Sequence, residues 1–327
     1  MTLIGLFESL RVDMNVADKL ISGIAQIAEQ HRPSVVSIGN YDGVHLGHQH
    51  VVKTLLQKSA ELNVPSTVIT FEPLAKEFFN SASVQRLTSL EQRAELLSAL
   101  GVDQIVAINF TQEFADYSPE KFTQDVLLDG LGVKYLCVGD DFRFGKDRAG
   151  DFDFLQKVGH QKNFKVESHA TFELAGERVS SGRVREALIA SDFELTEQLL
   201  GRPYSIKGVI TEGQQIGRTI QFPTANIVLD DYLMAVQGVF AVRCSLNEKE
   251  GLLEGVANIG RRPTVDGKQN RLEVHIFDFN KDIYAQTLDV QLVSKIRDEK
   301  KFADVDQLQK QISIDVDTAR KIFRKVK

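Results

Sequence analysis

The chain has 327 residues, of which 43% are hydrophobic and 26% charged, a composition that suits a soluble globular protein with room for two medium domains. Its net charge of -6 argues against nucleic acid as a partner, because a polyanion selects clustered basic surface, and it leaves a small anionic ligand open. No apolar run approaches the roughly 18 residues that span a bilayer, so no membrane partner is expected.

The amino terminus, MTLIGLFESLRVDMN, has no basic start and carries an acid at Glu8, so it does not read as a secretory signal. From residue 34 to about 190, β-branched runs alternate with helical patterns. The strand candidates are 34–38, 66–71, 104–110 and 134–139. Between the first two, Val51, Val52, Leu55, Leu56, Ala60 and Leu62 recur at helical spacing and predict an amphipathic helix. Thr88 with Glu91 predicts a capping box at a helix start, and Ser118 before Pro119 predicts another start. This alternation implies a mostly parallel sheet covered by helices, whose ligands bind beyond the carboxyl ends of the strands.

Near residue 200 the pattern changes. The runs SIKGVI, VFAVRCSL, GVANIG, RLEVHIFDF and LDVQLVS follow one another across glycine and polar turns with no long helix between them, which predicts a compact antiparallel sheet or barrel. Val305, Leu308, Ile312, Val316 and Ile322 predict one long closing helix. The domain boundary is expected between residues 190 and 202, giving domains 1–190 and 191–327. The two cysteines, Cys137 and Cys244, lie in separate strand-like runs and fit buried thiols of a reducing cytoplasm, with neither a disulfide nor a metal site supported.

The stretch SIGNYDGVHLGHQH, residues 37–50, carries three glycines and three histidines at the turn from the first strand into the first helix. Amide donors and the helix dipole favour bound phosphate at such a turn. Gly39, Gly43 and Gly47 let the backbone bend and approach a ligand, while neither a G-x-G-x-x-G fingerprint nor a Walker A lysine is present. The spacing of His45 and His48 puts both imidazoles on one side, where they can donate to developing charge on a phosphate chain. That suits nucleotidyl transfer; a zinc pair or two surface histidines are the bland alternatives. His50 falls on a different helix face and reads as exposed.

GNYDGVHLGH resembles the G-N-F-D-G-V-H-x-G-H signature of the bacterial bifunctional riboflavin kinase and FMN adenylyltransferase family, with Tyr41 in place of phenylalanine. The segments RLTSLEQRAELL, LGVKYLCVGDDFRFGKDRAGDF, LLGRPY, GRTIQFPTAN, GVANIGRRPTV and LEVHIFDF are similar to family segments in family order. The resemblance implies an α/β protein: a Rossmann-like nucleotidyltransferase domain with a parallel sheet, then a small antiparallel β-barrel with a long terminal helix. It further implies a cytoplasmic enzyme that uses ATP with Mg²⁺ to convert riboflavin to FMN and FMN to FAD.

For the adenylyltransferase, the resemblance implies that His45 and His48 contact the ATP phosphates and that Gly39, Asp42 and Gly47 shape the pocket. VSSGRVREAL is similar to the family's I-S-S-T-x-x-R element: Ser180 and Ser181 match, and Arg185 is the expected partner of the leaving pyrophosphate. Gly182 stands where the family has threonine, and Leu74 and Ala75 depart from its F-E-P-H-P element. Asp141, Phe142 and Arg143 are implied flavin-side contacts. For the kinase, Gly217 belongs to the implied phosphate loop, Thr224 and Asn226 of the P-T-A-N element would serve Mg²⁺ and the ATP phosphates, and Glu273 would accept the proton of the riboflavin 5'-hydroxyl. Alternation places Arg271, Glu273 and His275 on one face of a strand, opposite Leu272, Val274 and Ile276. His275 reads as a strand histidine, Asn258 and Arg262 as ligand contacts of unassigned role, and Arg297 either as a ligand contact or as part of a solvated charge run. Two other readings stand beside this one: a nucleotidyltransferase for another phosphorylated small molecule, and a flavin-binding regulatory module.

Overall fold

Six runs in the amino-terminal half pair as parallel strands: β1 (Leu20–Ser22), β2 (Val35–Ile38), β3 (Ser66–Glu72), β4 (Gln104–Asn109), β5 (Tyr135–Val138) and β6 (Lys165–Ser168). The computed structural model describes residues 16–80, 85–139, 141–212, 222–229, 233–246, 251–264 and 267–325. Within it the chain divides into two compact units, the first ending at Ser181 and the second beginning at Gly182 and taking in Gln85–Leu87.

The sheet of the first unit has the order β1-β4-β3-β2-β5-β6. The chain therefore runs outward from β2 through β3 to β4 on one side and through β5 to β6 on the other. This reversal makes the carboxyl ends of β2 and β5 the crevice where an open α/β sheet takes its ligand. Pleating divides the core: Val35, Val68, Ile105 and Tyr135 face one side, Val36, Ile69, Val106 and Leu136 the other. The four central strands stand close to their predicted spans. The edge strands were not expected, since β1 has three residues and β6 alternates exposed and buried positions without an apolar run.

Helix α1 (Leu46–Leu62) buries Val51, Val52 and Leu55 against the first of these faces. Ala60 and Leu62, expected on the same stripe, are exposed in its last turn. The next correction concerns α2 (Leu90–Ala99), which is capped by Ser89, whose side chain accepts from the amide of Gln92, and not by Thr88. Ser118 caps α3 (Pro119–Phe122) as predicted, accepting from the amide of Lys121.

In the second unit, β7 (Ser205–Thr211), β8 (Ala225–Val228), β9 (Gly238–Ser245), β10 (Leu253–Thr264), β11 (Gly267–Ile276) and β12 (Thr287–Arg297) close an antiparallel barrel in the order β7-β8-β11-β10-β9-β12. Gln85–Arg86 pairs with Leu233–Met234, which is why that short segment belongs to this unit. On β11 the side chains of Leu272, Val274 and Ile276 are buried while Arg271, Glu273 and His275 are half-exposed, as the alternation predicted. The long terminal helix, α4 (Val305–Lys325), packs Ala319 and Phe323 against Val239, Ala241, Val256 and Phe277. Val305, placed by periodicity on the packed face, is 53% exposed. Arg297 at the end of β12 grips this helix: its Nε and Nη2 donate to Asp315 at 3.0 and 2.7 Å. That buried pair, and not a solvated charge run, accounts for its side chain.

Candidate active sites

The turn after β2 is strained and heavily braced. Tyr41, Gly43 and Val44 all have positive φ, 50°, 82° and 41°, a conformation that costs a non-glycine residue about 1–3 kcal/mol and that persists at functional sites when its surroundings enforce it. Tyr41 is buried; its hydroxyl donates to Ser37 Oγ at 2.7 Å, and Ser37 Oγ donates to the Cys137 carbonyl at 2.8 Å. Burial drives the Tyr41 phenol well above its ordinary pKa, so the hydroxyl stays a neutral donor. Thr88 holds the next two residues: its amide and Oγ1 donate to Asp42 Oδ1 at 3.1 and 3.3 Å, and its Oγ1 accepts from the amide of Gly43 at 3.0 Å. The Asn40 carbonyl accepts from Arg93 Nη1 and Thr70 Oγ1, both at 3.0 Å. Arg93 is fully buried, and its Nη1 also donates to Thr70 Oγ1 at 2.7 Å.

These braces deliver His45 to the start of α1, where its Nδ1 accepts from the amide of His48 at 3.3 Å. The proton of neutral His45 therefore sits on Nε2. The His45 and His48 rings stack with centroids 3.6 Å apart, and Tyr41 lies 4.9 Å from His48. Gly47 is closely enclosed: a Cβ there would meet the His45 ring at 3.1 Å and the Val179 carbonyl at 3.2 Å, so either neighbour would have to give way. Gly39 likewise gives way to the Tyr41 ring, at 3.2 Å. Ser181 donates to the Asp42 carbonyl at 2.9 Å and opens the helix α5 (Ser181–Ile189), with Ser180 just before it. The structure thus joins His45, His48, Gly39, Asp42, Gly47 and Ser181 through a chain of contacts, with two imidazoles stacked at the dipole-positive end of a helix.

In the second unit the decisive relationship is cross-strand register. Glu273 on β11 stands opposite Asn226 on β8 and opposite Asn258 on β10, so the three side chains share one barrel face at pair distances of about 5 Å. Asn226 Nδ2 donates to the Thr224 carbonyl at 3.2 Å. Asn258 Nδ2 donates to Glu299 Oε1 at 3.2 Å. Beside Thr224 opens a cleft of about 260 Å³ lined by Ile210, Ala225, Val274, Ile276 and Tyr284 among others. Gly217 lies outside the described residues.

Comparison with known proteins follows the same division. The family model described as FAD synthetase matches residues 27–183 and that described as riboflavin kinase matches residues 200–323. The bifunctional riboflavin kinase/FMN adenylyltransferase of Pseudomonas fluorescens is 44% identical over 92% of this chain and 97% of its own length. That of Escherichia coli (strain K12) is 43% identical over 93% of this chain and 98% of its own. The chain belongs to the bifunctional riboflavin kinase/FMN adenylyltransferase family. A solved structure titled macrolide-efflux protein, from Streptococcus pneumoniae, superposes with a TM-score of 0.74 at 28% identity, covering 92% of this chain and 99% of that one. Among the described residues no helix is long and apolar enough to cross a membrane.

Against that family the remaining expected residues can be placed. Asp141 is exposed and lies 3.4 Å from Arg178 Nη1, Phe142 stacks on Phe144 with centroids 5.5 Å apart, and exposed Arg143 folds back onto the Phe142 carbonyl at 2.9 Å. Arg185 Nε donates to the Gln85 carbonyl at 2.5 Å. Gly182 is exposed in the first turn of α5, and Leu74 is buried. His50 is exposed, as expected.

Sequence reasoning missed Thr88, Arg93 and Thr70 as braces of the histidine turn. It also missed an aromatic run at the carboxyl edge of the sheet, where Phe71, Phe110, Phe114, Phe122, Phe144 and Phe142 follow one another at 5.2–6.1 Å between centroids. The one signal available was composition, 20 phenylalanines and no tryptophan.

Proposed function

We propose that the second unit transfers the γ-phosphoryl group of ATP to the 5'-hydroxyl of riboflavin and that the first unit joins the resulting FMN to the AMP part of a second ATP, giving FAD and pyrophosphate. The two activities are assigned to residues 1–190 and 191–327, so that 182–190, which cluster with the second unit, count with the adenylyltransferase. The observation that carries this reading is the match of two different transferase families to two successive stretches of the chain.

In the kinase, the adenosine end of ATP suits the cleft beside Thr224, and its phosphates then pass over Thr224 toward Asn226 and Glu273. Glu273 takes the proton as the hydroxyl oxygen attacks the γ-phosphorus and ADP departs; a primary alcohol needs such a base. The hydroxyl of Thr224 and Oδ1 of Asn226 are hard oxygen donors, the set that suits Mg²⁺. Bound there with ATP, the ion would neutralise charge on the phosphates.

In the adenylyltransferase, a phosphate oxygen of FMN attacks the α-phosphorus and pyrophosphate leaves, so no protein nucleophile is required. Nε2 of His45 and the His48 ring are suited to donate to the charge that builds on the phosphate chain. Ser180, Ser181 and Arg185 are the further phosphate partners on family resemblance. The isoalloxazine ring suits the aromatic run that ends at Phe142, since flat rings stack on flat rings. Both reactions belong in the cytoplasm, in keeping with the free buried thiols of Cys137 and Cys244. The test is a time course of purified protein with riboflavin, ATP and Mg²⁺, the flavins separated by chromatography. FMN followed by FAD is the expected result; FMN alone would restrict the reading to the kinase, and unchanged riboflavin would overturn it.

A further inference from the structure

His275 follows Glu273 by two positions on the same outward face of β11, and its Nδ1 lies 2.9 Å from the carbonyl oxygen of Pro223. A carbonyl only accepts, so Nδ1 carries the proton and donates. The backbone explains why a side chain is needed here. The pairing of β8 with β11 ends at Ala225 opposite Val274, and Pro223 has no N–H with which to extend the ladder. The imidazole donor takes over where the ladder stops. Its ring is itself held edge-on by Phe222 at 5.3 Å and Phe277 at 5.9 Å. The two residues at the rim are thus fixed by consecutive carbonyls: Pro223 by His275, and Thr224 by Asn226 Nδ2 at 3.2 Å.

We infer that His275 is a positioning residue of the kinase site, holding the Pro223-Thr224 rim so that Thr224 and Asn226 meet the ATP phosphates in one geometry. The inference rests on the kinase reading of this unit. His275 acts through Pro223 and transfers no proton in the reaction. Because Thr224 and Asn226 would contact the nucleotide in the ground state as well as in the transition state, loosening the rim raises KM for ATP more than it lowers kcat.

The test compares full-length wild type, His275→Ala and His275→Asn in steady-state FMN formation at varied ATP and at varied riboflavin. KM for riboflavin and circular dichroism, measured on the same samples, report that the barrel is folded, and FAD formation from supplied FMN that the first unit is. His275→Ala is expected to raise KM for ATP about tenfold, the scale of one lost hydrogen bond, with KM for riboflavin and FAD formation unchanged. His275→Asn, whose amide can donate from the position of Nδ1, is expected to return KM for ATP to within about threefold of wild type. Unchanged KM for ATP in His275→Ala, or an Asn variant as impaired as the Ala variant, would overturn the positioning role while leaving the kinase reading intact. If the Ala variant lost both activities through misfolding, the Asn variant would decide the matter on the same two criteria. Absence of FMN formation by wild type would overturn the kinase reading, and the inference with it.

Discussion

The imidazoles of His45 and His48 lie stacked at 3.6 Å, joined by the hydrogen bond from the His48 amide to His45 Nδ1. That bond serves two ends. It caps α1, and it fixes the tautomer of His45 so that the remaining N–H points away from the helix as a donor. The side chain that caps the helix is thus also the one proposed to meet the phosphates.

Two substitutions should separate the activities. His48→Ala is expected to lower FAD formation by about a hundredfold or more, the effect of removing a positioned donor from a phosphoryl site, with FMN formation retained. Glu273→Ala is expected to lower FMN formation by about a hundred- to ten-thousandfold and to leave adenylylation of supplied FMN at its wild-type rate. Chromatography of the two flavin products checks both, and loss of both activities from either folded variant would refute the two-site assignment.

Gly47→Ala tests the packing of the same turn. The added methyl would press on the His45 ring at 3.1 Å and on the Val179 carbonyl at 3.2 Å. The helix itself tolerates alanine, so the cost falls on the imidazole. FAD formation should drop about tenfold or more, the scale expected when a reacting group is displaced by a fraction of an ångström, while circular dichroism shows unchanged helix content.

Tyr41→Phe removes the hydroxyl that donates to Ser37 at 2.7 Å. The expected loss is about 1 kcal/mol of stability, the usual worth of a buried hydrogen bond, read as a lower melting temperature. FAD formation should persist, because the ring that packs beside His48 remains.

Arg297→Ala leaves the carboxylate of Asp315, 4% exposed, without its cation. An uncompensated buried charge costs about 3–5 kcal/mol, so α4 should detach from the barrel at lower denaturant concentration. The additional change Asp315→Asn should recover part of the loss, which distinguishes the buried charge from lost packing.

How much of this was legible beforehand depends on sequence separation. The barrel and the closing helix followed from periodicity, because burying one face imposes the period of 2 or 3.6 on the chain itself, and the parallel sheet followed from β-branched runs, because its central strands bury both faces. The cap at Ser118 and the turn at 39–48 were legible for a similar reason, the residues involved being neighbours, but of the three glycines only Gly43 takes a positive φ, shared by Tyr41 and Val44, which sequence did not mark. Thr88 marks the limit. Thr88 and Ser89 are adjacent hydroxyl residues, and either could cap α2; only the position of Asp42, 46 residues earlier, draws Thr88 to the histidine turn and leaves Ser89 for the helix.

The sequence by itself determined the strand-turn-helix histidine motif, the alternation that puts Glu273 outward, and, through the family motifs, the chemistry. Tertiary structure alone decided which polar groups meet. Asn226, Glu273 and Asn258 become neighbours through strand register, and a slip of one residue would turn Glu273 into the barrel interior. The guanidinium of Arg93 comes to lie beneath Asn40 because β2 and β3 are adjacent, an order that depends on which faces bury best together. Local periodicity is a property of consecutive residues, whereas the pairing of distant polar groups is set by the packing of whole elements.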